Sequence, residues 1–513
     1  MFTKIFTKNY FVQTWLIVII VINGLEVLVM RPGRADDFVL SQQPSTLEAT
    51  GELIINGTLN ENSEQFEHDG SYFQLHTFTG KAGDVISIEL NSSEFDAYLM
   101  LIDPKSNKIA ENDDGGENNN AKITMTLPTT GIYTVIVNTH EKGQQGSYTL
   151  SWREASAKDQ SLASATELNE KAIELYKQGK YDEAVPLLEQ SLKIRQQVLG
   201  AEHPDVATSL NNLALLYESQ GRYTEAEPLY IQALEMYKKL LGSEHPLVAT
   251  SLNNLAALYE SQYDIASAVQ YYKRGLEVQE KNLTYNLAAG AEPQKDKYLK
   301  SISGAKARAI SLHLQTAPNN PAATTLAFTT ILRRKGRLLQ FFTTSRQILR
   351  QQLDPQGLQW LDELNNIYSE LSTLLYNPPK NSPLETYTYK EDFSFLEQQA
   401  KELEDKIGRR SSEFRAATQP VTLEAIQQLI PVNAALVEFV QYSPYDAKTD
   451  TWGEPRYGVY VLGAEGEPQG IDLGTVEEIE SAIQLFRYSL RDKKTPLKQL
   501  KDAARDVDKK LMQ

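Results

Sequence analysis

The sequence predicts a multidomain chain: an all-β sandwich, then an α-solenoid of stacked repeats with a helical connector, then an α/β unit. Three observations predict it. Between Gly51 and Trp152 short runs alternate apolar and polar residues. The stretch Glu202–Gln220 then recurs as Glu244–Gln262 with only Asp205/Leu247 and Leu215/Ala257 changed. After Pro431, helical periodicity gives way to the strand-like runs "ALVEFVQY" (435–442) and "RYGVYVLG" (456–463). At 513 residues the chain is too long for one core, and 41% hydrophobic with 23% charged residues is ordinary globular composition.

Residues 1–35 read as a signal peptide. Lys4 and Lys8 precede the apolar run Trp15–Met30, and Gly33 and Ala35 stand three and one residues before a cut after Ala35. Asn23, Gly24 and Glu26 interrupt the run, which is shorter than the ~20 residues a spanning helix needs. The expected location is periplasmic or extracellular, with no stable membrane span after cleavage; the alternative is an uncleaved N-terminal anchor. Lys+Arg total 51 against Asp+Glu 67, a net charge of -16, and no basic stripe interleaves with aromatics. Such a chain repels phosphate backbones, so nucleic acid is not an expected partner.

Residues 51–152 carry seven alternating runs, among them "SYFQLHTFT", "DVISIEL" and "GIYTVIVNT", bounded by "GKAGD", "PTTG" and "EKGQQG". Short strands at even spacing with Gly/Asn/Asp turns indicate a sandwich. The skeleton "FDAYLMLIDPKSNKIAENDDGG", continued by "LPTTGIYTVIVNTHEKGQQGSYTLSW", resembles the bacterial pre-peptidase C-terminal domain. That resemblance implies a small jelly-roll-like accessory module of secreted proteins. Asp96, Asp103, Asn112, Asp113 and Asp114 offer hard oxygen ligands for Ca²⁺, although no EF-hand spacing is present and "NDDGGENNN" serves equally as a solvated turn. No cofactor is expected. Residues 153–167 lose the alternation and read as a polar linker.

From Leu168 the period is helical. Leu168, Leu210 and Leu252 recur every 42 residues, the mark of an array in which each unit buries its face only against its neighbours. Within a unit, Leu210, Leu213, Ala214 and Tyr217 share one helix face and Gly221 ends the helix; Ala226, Tyr230 and Ala233 mark the second helix. The words "LNNLALLYESQGRYTEAEPLYIQALEMYKKLLGSEHP" resemble the tetratricopeptide repeat in its kinesin-light-chain-like form, over residues 168–293. In the last unit Tyr263 replaces the helix-ending glycine and Gly275 replaces Ala233. His203 and His245 sit one repeat apart before prolines, as turn and helix-start residues rather than a shared metal site.

The resemblance implies that the inner face of each first helix carries a protein or peptide ligand. Asn211, Asn212, Asn253 and Asn254 fall at or beside those positions, and an asparagine amide can hold both the N–H and the C=O of an extended peptide. The alternative is that one Asn of each pair only bonds the next helix.

Residues 294–419 read as a helical connector, with amphipathic stretches at Leu358–Tyr376 and Phe393–Ala417 around a "NPPKNSP" break. Residues 420–513 then pair strands 435–442 and 456–463 and add a helix over 475–492. The wording "LRRKGRLLQ…RRSSEFRAATQPVTLEAIQQLIPVNAALVEFVQY…YGVYVLG…DLG" resembles the opening of a CHAT domain, a caspase-like peptidase family. That resemblance implies a catalytic His and Cys late in the domain. This chain has no Cys, and its last His is His313. The 420–513 segment therefore reads as an incomplete CHAT domain, with an unpaired strand edge, whose removal is expected to improve solubility and spare partner binding.

The expected function is an exported protein–protein interaction scaffold without enzymatic activity. One alternative is the N-terminal part of a CHAT-family cysteine peptidase whose catalytic half is missing from this chain. Another makes the β-sandwich a surface or polysaccharide adhesion module.

Overall fold

A computed structural model describes residues 16–22, 25–31, 53–66, 70–112, 120–139, 143–288, 299, 302–342, 350, 353–376, 383–411, 414, 421–491 and 497–511. Two compact units emerge, Met1–Glu167 and Leu168–Gln513. In the first, β1 (Leu16–Ile22) and β2 (Leu25–Arg31) pair antiparallel, within the run read as a signal sequence. Gly33 and Ala35, flanking the expected cut, lie outside the described residues. Among those described, no helix is long and apolar enough to cross a membrane.

The sandwich follows the alternation. Its strands are β3 (Leu53–Leu59), β4 (Glu64–Gln65), β5 (Tyr72–Gly80), β6 (Val85–Asn91), β7 (Ala97–Ile102), β8 (Lys108–Asn112), β9 (Ala121–Thr126), β10 (Gly131–Thr139) and β11 (Gly146–Glu154). One sheet is ordered β4-β5-β10-β7-β8 and the other β3-β11-β6-β9. The inward residues of both faces, including Leu59, Ile88, Leu90, Leu99, Leu101 and Tyr133, form one core. Phe78 stacks on Tyr133 and meets Trp152 at 4.6 Å.

The expected linker 153–167 needs correction: β11 runs to Glu154, and helix α1 (Ala157–Lys177) starts almost at once. Ser156 and Asp159 cap each other across that start. The Asp159 N–H donates to Ser156 Oγ (3.1 Å), and the Ser156 N–H donates to Asp159 Oδ2 (3.3 Å). Asp159 also meets Lys122 at 3.2 Å and Arg153 at 3.0 Å. Burial opposes its charge, but these partners prevail and hold the carboxyl down at about 2.

In the second unit the repeat helices are α1, whose C-terminal half enters it, α2 (Tyr181–Leu199), α3 (Pro204–Ser219), α4 (Tyr223–Leu241), α5 (Pro246–Ser261) and α6 (Ile265–Ala288). Close helix approach rests on small residues at fixed repeat positions. Ala172, Ala214 and Ala256 on the first helices, and Ala184, Ala226 and Ala268 on the second, are each at most 1% exposed. Gly179 and Gly221 end α1 and α3 at φ +74° and +73°. Tyr263 takes the same left-handed turn at φ +60°, where a side chain costs about 1 kcal/mol.

The connector divides between two cores, its second half packing mostly on itself and its first half with residues beyond 420. Helices Pro355–Tyr376 and Pro383–Arg410 pack with Tyr285 of α6 through Leu361, Leu364, Leu371 and Ile407. Helices Ser303–Ser311 and Pro321–Phe342, with a π-helical turn Leu312–Thr316 between them, instead pack under a sheet. That sheet is ordered β12 (Ala435–Tyr442), β15 (Arg456–Gly463), β16 (Gln469–Thr475). The strands 435–442 and 456–463 pair antiparallel from Ala435↔Gly463 to Tyr442↔Arg456. Ile310, Leu314, Phe328 and Ile331 share one core with Val440, Tyr442, Tyr460 and Leu462. Helices Val476–Arg491 and Leu497–Leu511 follow.

Candidate functional site

The candidate site is the face of the repeats built by α1, α3 and α5. Each of α3 and α5 starts the same way. Proline occupies the first helical position, and the preceding histidine accepts the N–H two residues on: Asp205 N–H to His203 Nδ1 at 3.1 Å, and Leu247 N–H to His245 Nδ1 at 3.2 Å. Burial pushes the His245 imidazole down to about 4, favouring the neutral form that accepts the Leu247 N–H. Both histidines are structural. No group of potential metal ligands is assembled among the described residues.

The asparagines separate. Asn212 donates through Nδ2 to Asn169 Oδ1 at 3.1 Å, and Asn254 donates in the same way to Asn211 Oδ1 at 3.2 Å. Asn211, Asn212 and Asn254 are half-buried, and each carries one such bond, leaving amide groups on all three without a partner among the described residues. These are rungs of a ladder between successive first helices. Asn169 was missed by the sequence reading, although it stands one period before Asn211.

Asn253 corrects the expectation. It is buried at 7% exposure, and its Oδ1 has no hydrogen-bond partner among the described residues. It fills the space that Gly275 leaves open: a Cβ at Gly275 would lie 2.4 Å from Asn253 Oδ1. The preceding unit has Ala233 at the Gly275 position and keeps Asn211 on the half-buried face.

Behind this face, Tyr230 donates to Glu218 at 2.7 Å and Tyr272 donates to Glu260 at 3.0 Å, the same contact one repeat apart. Thr316 adds a bond to Glu260 at 2.7 Å. Burial raises both carboxyls, Glu218 to about 7.

A second feature was not read from the sequence. The loop between β12 and β15 folds into a short hairpin, β13 (Tyr445–Asp446) with β14 (Thr451–Trp452), seated on the C-terminal ends of the first helices. Tyr445 and Ala447 cluster with Ala257 of α5. The Asp450 carboxylate accepts from Tyr176 of α1 at 2.7 Å and from Tyr445 at 2.8 Å, and Arg308 lies 3.6 Å away. The Arg308 guanidinium stands 4.2 Å over the Tyr445 ring, and Lys448 stands 4.5 Å over Tyr263. Ser311 Oγ receives the Tyr445 N–H at 2.8 Å.

In the sandwich, Asp103 Oδ1 accepts the N–H groups of Lys105 and Asn107, both at 2.8 Å, so this carboxylate shapes the "DPKSN" turn. Asn112 Oδ1 accepts from the Lys122 N–H, and the Asp96 N–H donates to Gln144. Asp113 and Asp114 lie outside the described residues. His313, the last histidine, is 1% exposed, with Nδ1 3.0 Å from Tyr460 Oη.

Comparison with known proteins agrees with the two modules. The chain matches the tetratricopeptide repeat family over residues 162–239 and 210–281, and the bacterial pre-peptidase C-terminal domain family over 72–139. No curated protein matches. Similar solved structures include the Aeromonas hydrophila PliG, a periplasmic lysozyme inhibitor of g-type lysozyme (16% identity, 21% of this chain and 94% of that one, TM-score 0.17). The pre-peptidase C-terminal domain of collagenase from Bacillus anthracis is similar at 18% identity, over 22% of this chain and all of that one, TM-score 0.17. A Podosopora anserina putative kinesin light chain with nearly identical TPR-like repeats is similar at 21% identity, over 48% and 97%, TM-score 0.26. The chain thus carries tetratricopeptide repeats and a pre-peptidase C-terminal domain.

Proposed function

We propose that this chain is an exported interaction scaffold that binds an extended peptide or protein segment along the Asn211, Asn212 and Asn254 face of its repeats. The observation that carries the reading is the asparagine ladder: amides fixed by one bond each, half-buried, with unused donors and acceptors. An extended backbone offers the complementary groups at regular spacing. Asn253 is left out because it is buried.

The test is a pull-down from envelope fractions followed by affinity measurement with the N212A/N254A chain. Each lost bond contributes about 0.5–1.5 kcal/mol net, so the double variant binds about five- to a hundred-and-fiftyfold more weakly. Unchanged affinity, with helix content intact, rules out this face.

Export rests on the order of basic, apolar and small-residue segments at the N-terminus and on the pre-peptidase C-terminal match. The mature N-terminus, read by mass spectrometry, falls at Asp36; a mature species that keeps Met1–Met30 favours the anchor. The CHAT-like wording of 309–513 carries the second reading, a part of a caspase-like peptidase. We propose that these residues do not hydrolyse peptides alone. A peptidase of this kind needs a thiolate beside an imidazole base. The chain has no Cys, and His313 is buried against Tyr460. Cleavage of a degenerate peptide library by the purified chain refutes that.

A further inference from the structure

We propose that the Tyr445–Trp452 hairpin is a displaceable internal ligand of the repeat face, and that this face selects partner segments presenting an aromatic ring beside a carboxylate. The inference rests on the binding-face reading above and says which chemistry that face takes.

The location is the first argument. Asn254, Ala257 and Ser261 are three, then four, residues apart, so they lie on one stripe of α5. Ala257 touches the hairpin cluster, and Ser261 lines the cavity beside it. A segment running along the stripe past Asn254 therefore meets the hairpin.

The second argument is recognition. Tyr176, Arg308 and Tyr263 come from three separate helical segments or their ends, and all three converge on the hairpin. Tyr176 and Arg308 read Asp450; Arg308 also stacks on Tyr445, which faces Trp452 at 4.9 Å. Tyr263 takes the Lys448 ammonium. This is a set of directional contacts to one ring and one carboxylate, not general apolar packing.

The third argument is displaceability. The hairpin pairs over only two residues per strand, too few to be stable without its seat. Its packing leaves a cavity of about 410 Å³ lined by Glu260, Tyr263, Thr316, Asp446, Lys448 and Thr451, among others. Of the three non-glycine residues with positive φ among those described, two are at this contact, Tyr263 (+60°) and Asp450 (+49°). A short element that pairs over two residues per strand beside an open cavity is one that a better ligand can lift.

The experiment uses the full chain and a fluorescent peptide of residues 443–453 supplied in trans. Wild type binds it weakly, because the site is filled. D450N, and separately Y445A/D450N, free the site and bind at least tenfold more tightly. The chain has no Cys, so A257C/A447C places one unique pair under the hairpin. Oxidised, that variant binds no peptide; reduced, it returns to the wild-type value. Hydrogen exchange on the wild type needs no variant, and residues 445–452 exchange well before α3 and α5. Equal peptide affinity in all forms, or hairpin amides as protected as those of α5, overturns the proposal. Peptide capture by the D450N chain, with partner binding unaffected by N212A/N254A, would retain the hairpin site while removing the asparagine face.

Discussion

Glu218 is 4% exposed, and in the interior it accepts the Tyr230 hydroxyl at 2.7 Å. Burial is the largest influence on it. The Asp450 carboxylate also raises it, whereas Tyr230, Arg308 and Ser261 lower it, and the outcome is about 7. A folded value above the ordinary 4.5 means that the folded state holds this proton more tightly than the unfolded chain. The stabilisation is fully present below about pH 4.5 and is lost as pH rises through about 7. E218Q keeps an acceptor for Tyr230 and cannot ionise. We predict that it leaves stability at pH 4 nearly unchanged and raises it at pH 8 by up to about 3 kcal/mol, at about 1.4 kcal/mol per unit. Urea melts at the two pH values check this, and equal effects at both would refute it. Little of this was legible in the sequence. Glu218 and Glu260 look like ordinary surface residues of "YESQ"; only the 42-residue alignment of Glu218 with Glu260 and Tyr230 with Tyr272 shows a repeated pair.

At the scale of elements, the helices and most strands were readable because their apolar spacing is regular and their ends carry Gly, Pro or His-Pro. The start of α1 was not, because "REASAKDQSLASATE" buries mainly alanines and shows little periodicity; its signal was the cap Ser156 with Asp159 three residues on. β8 was hidden because "KIAEN" sits among polar turn residues. The packing of α5 on α6 yields a prediction. Asn253 lies inward because Gly275 makes room, so G275A forces a Cβ to 2.4 Å from Asn253 Oδ1 and costs about 1–3 kcal/mol. N253A removes the obstacle and also an unpartnered buried oxygen. The double variant N253A/G275A therefore recovers most of the loss, as thermal melts can show. A double variant no more stable than G275A alone would mean that the glycine is needed for another reason.

For the whole molecule, the sandwich, the repeats and the strands 435–442 and 456–463 were legible, but not what the helices between repeats and strands pack on, since periodicity reports an amphipathic helix but not which neighbour its apolar face meets. The expectation that removing 420–513 improves solubility followed from a sheet edge taken alone. In the structure that sheet is the cover for Ile310, Leu314, Phe328 and Ile331, three of them at most 2% exposed. The hairpin between β12 and β15 also covers Ala257 and holds Arg308. Deletion would bare these side chains as one patch, and patches of that kind drive association. At about 1.5–3 kcal/mol per large buried side chain, the loss is large against the 5–15 kcal/mol that holds a domain folded. We therefore predict the opposite of the sequence reading: a chain ending at 419 aggregates or melts well below the full chain, while residues 1–167 behave alike in both. Light scattering and calorimetry decide it. A monodisperse 1–419 chain with an unchanged helical transition would show that the repeats do not depend on the sheet and would return the 419/420 boundary to a true domain border.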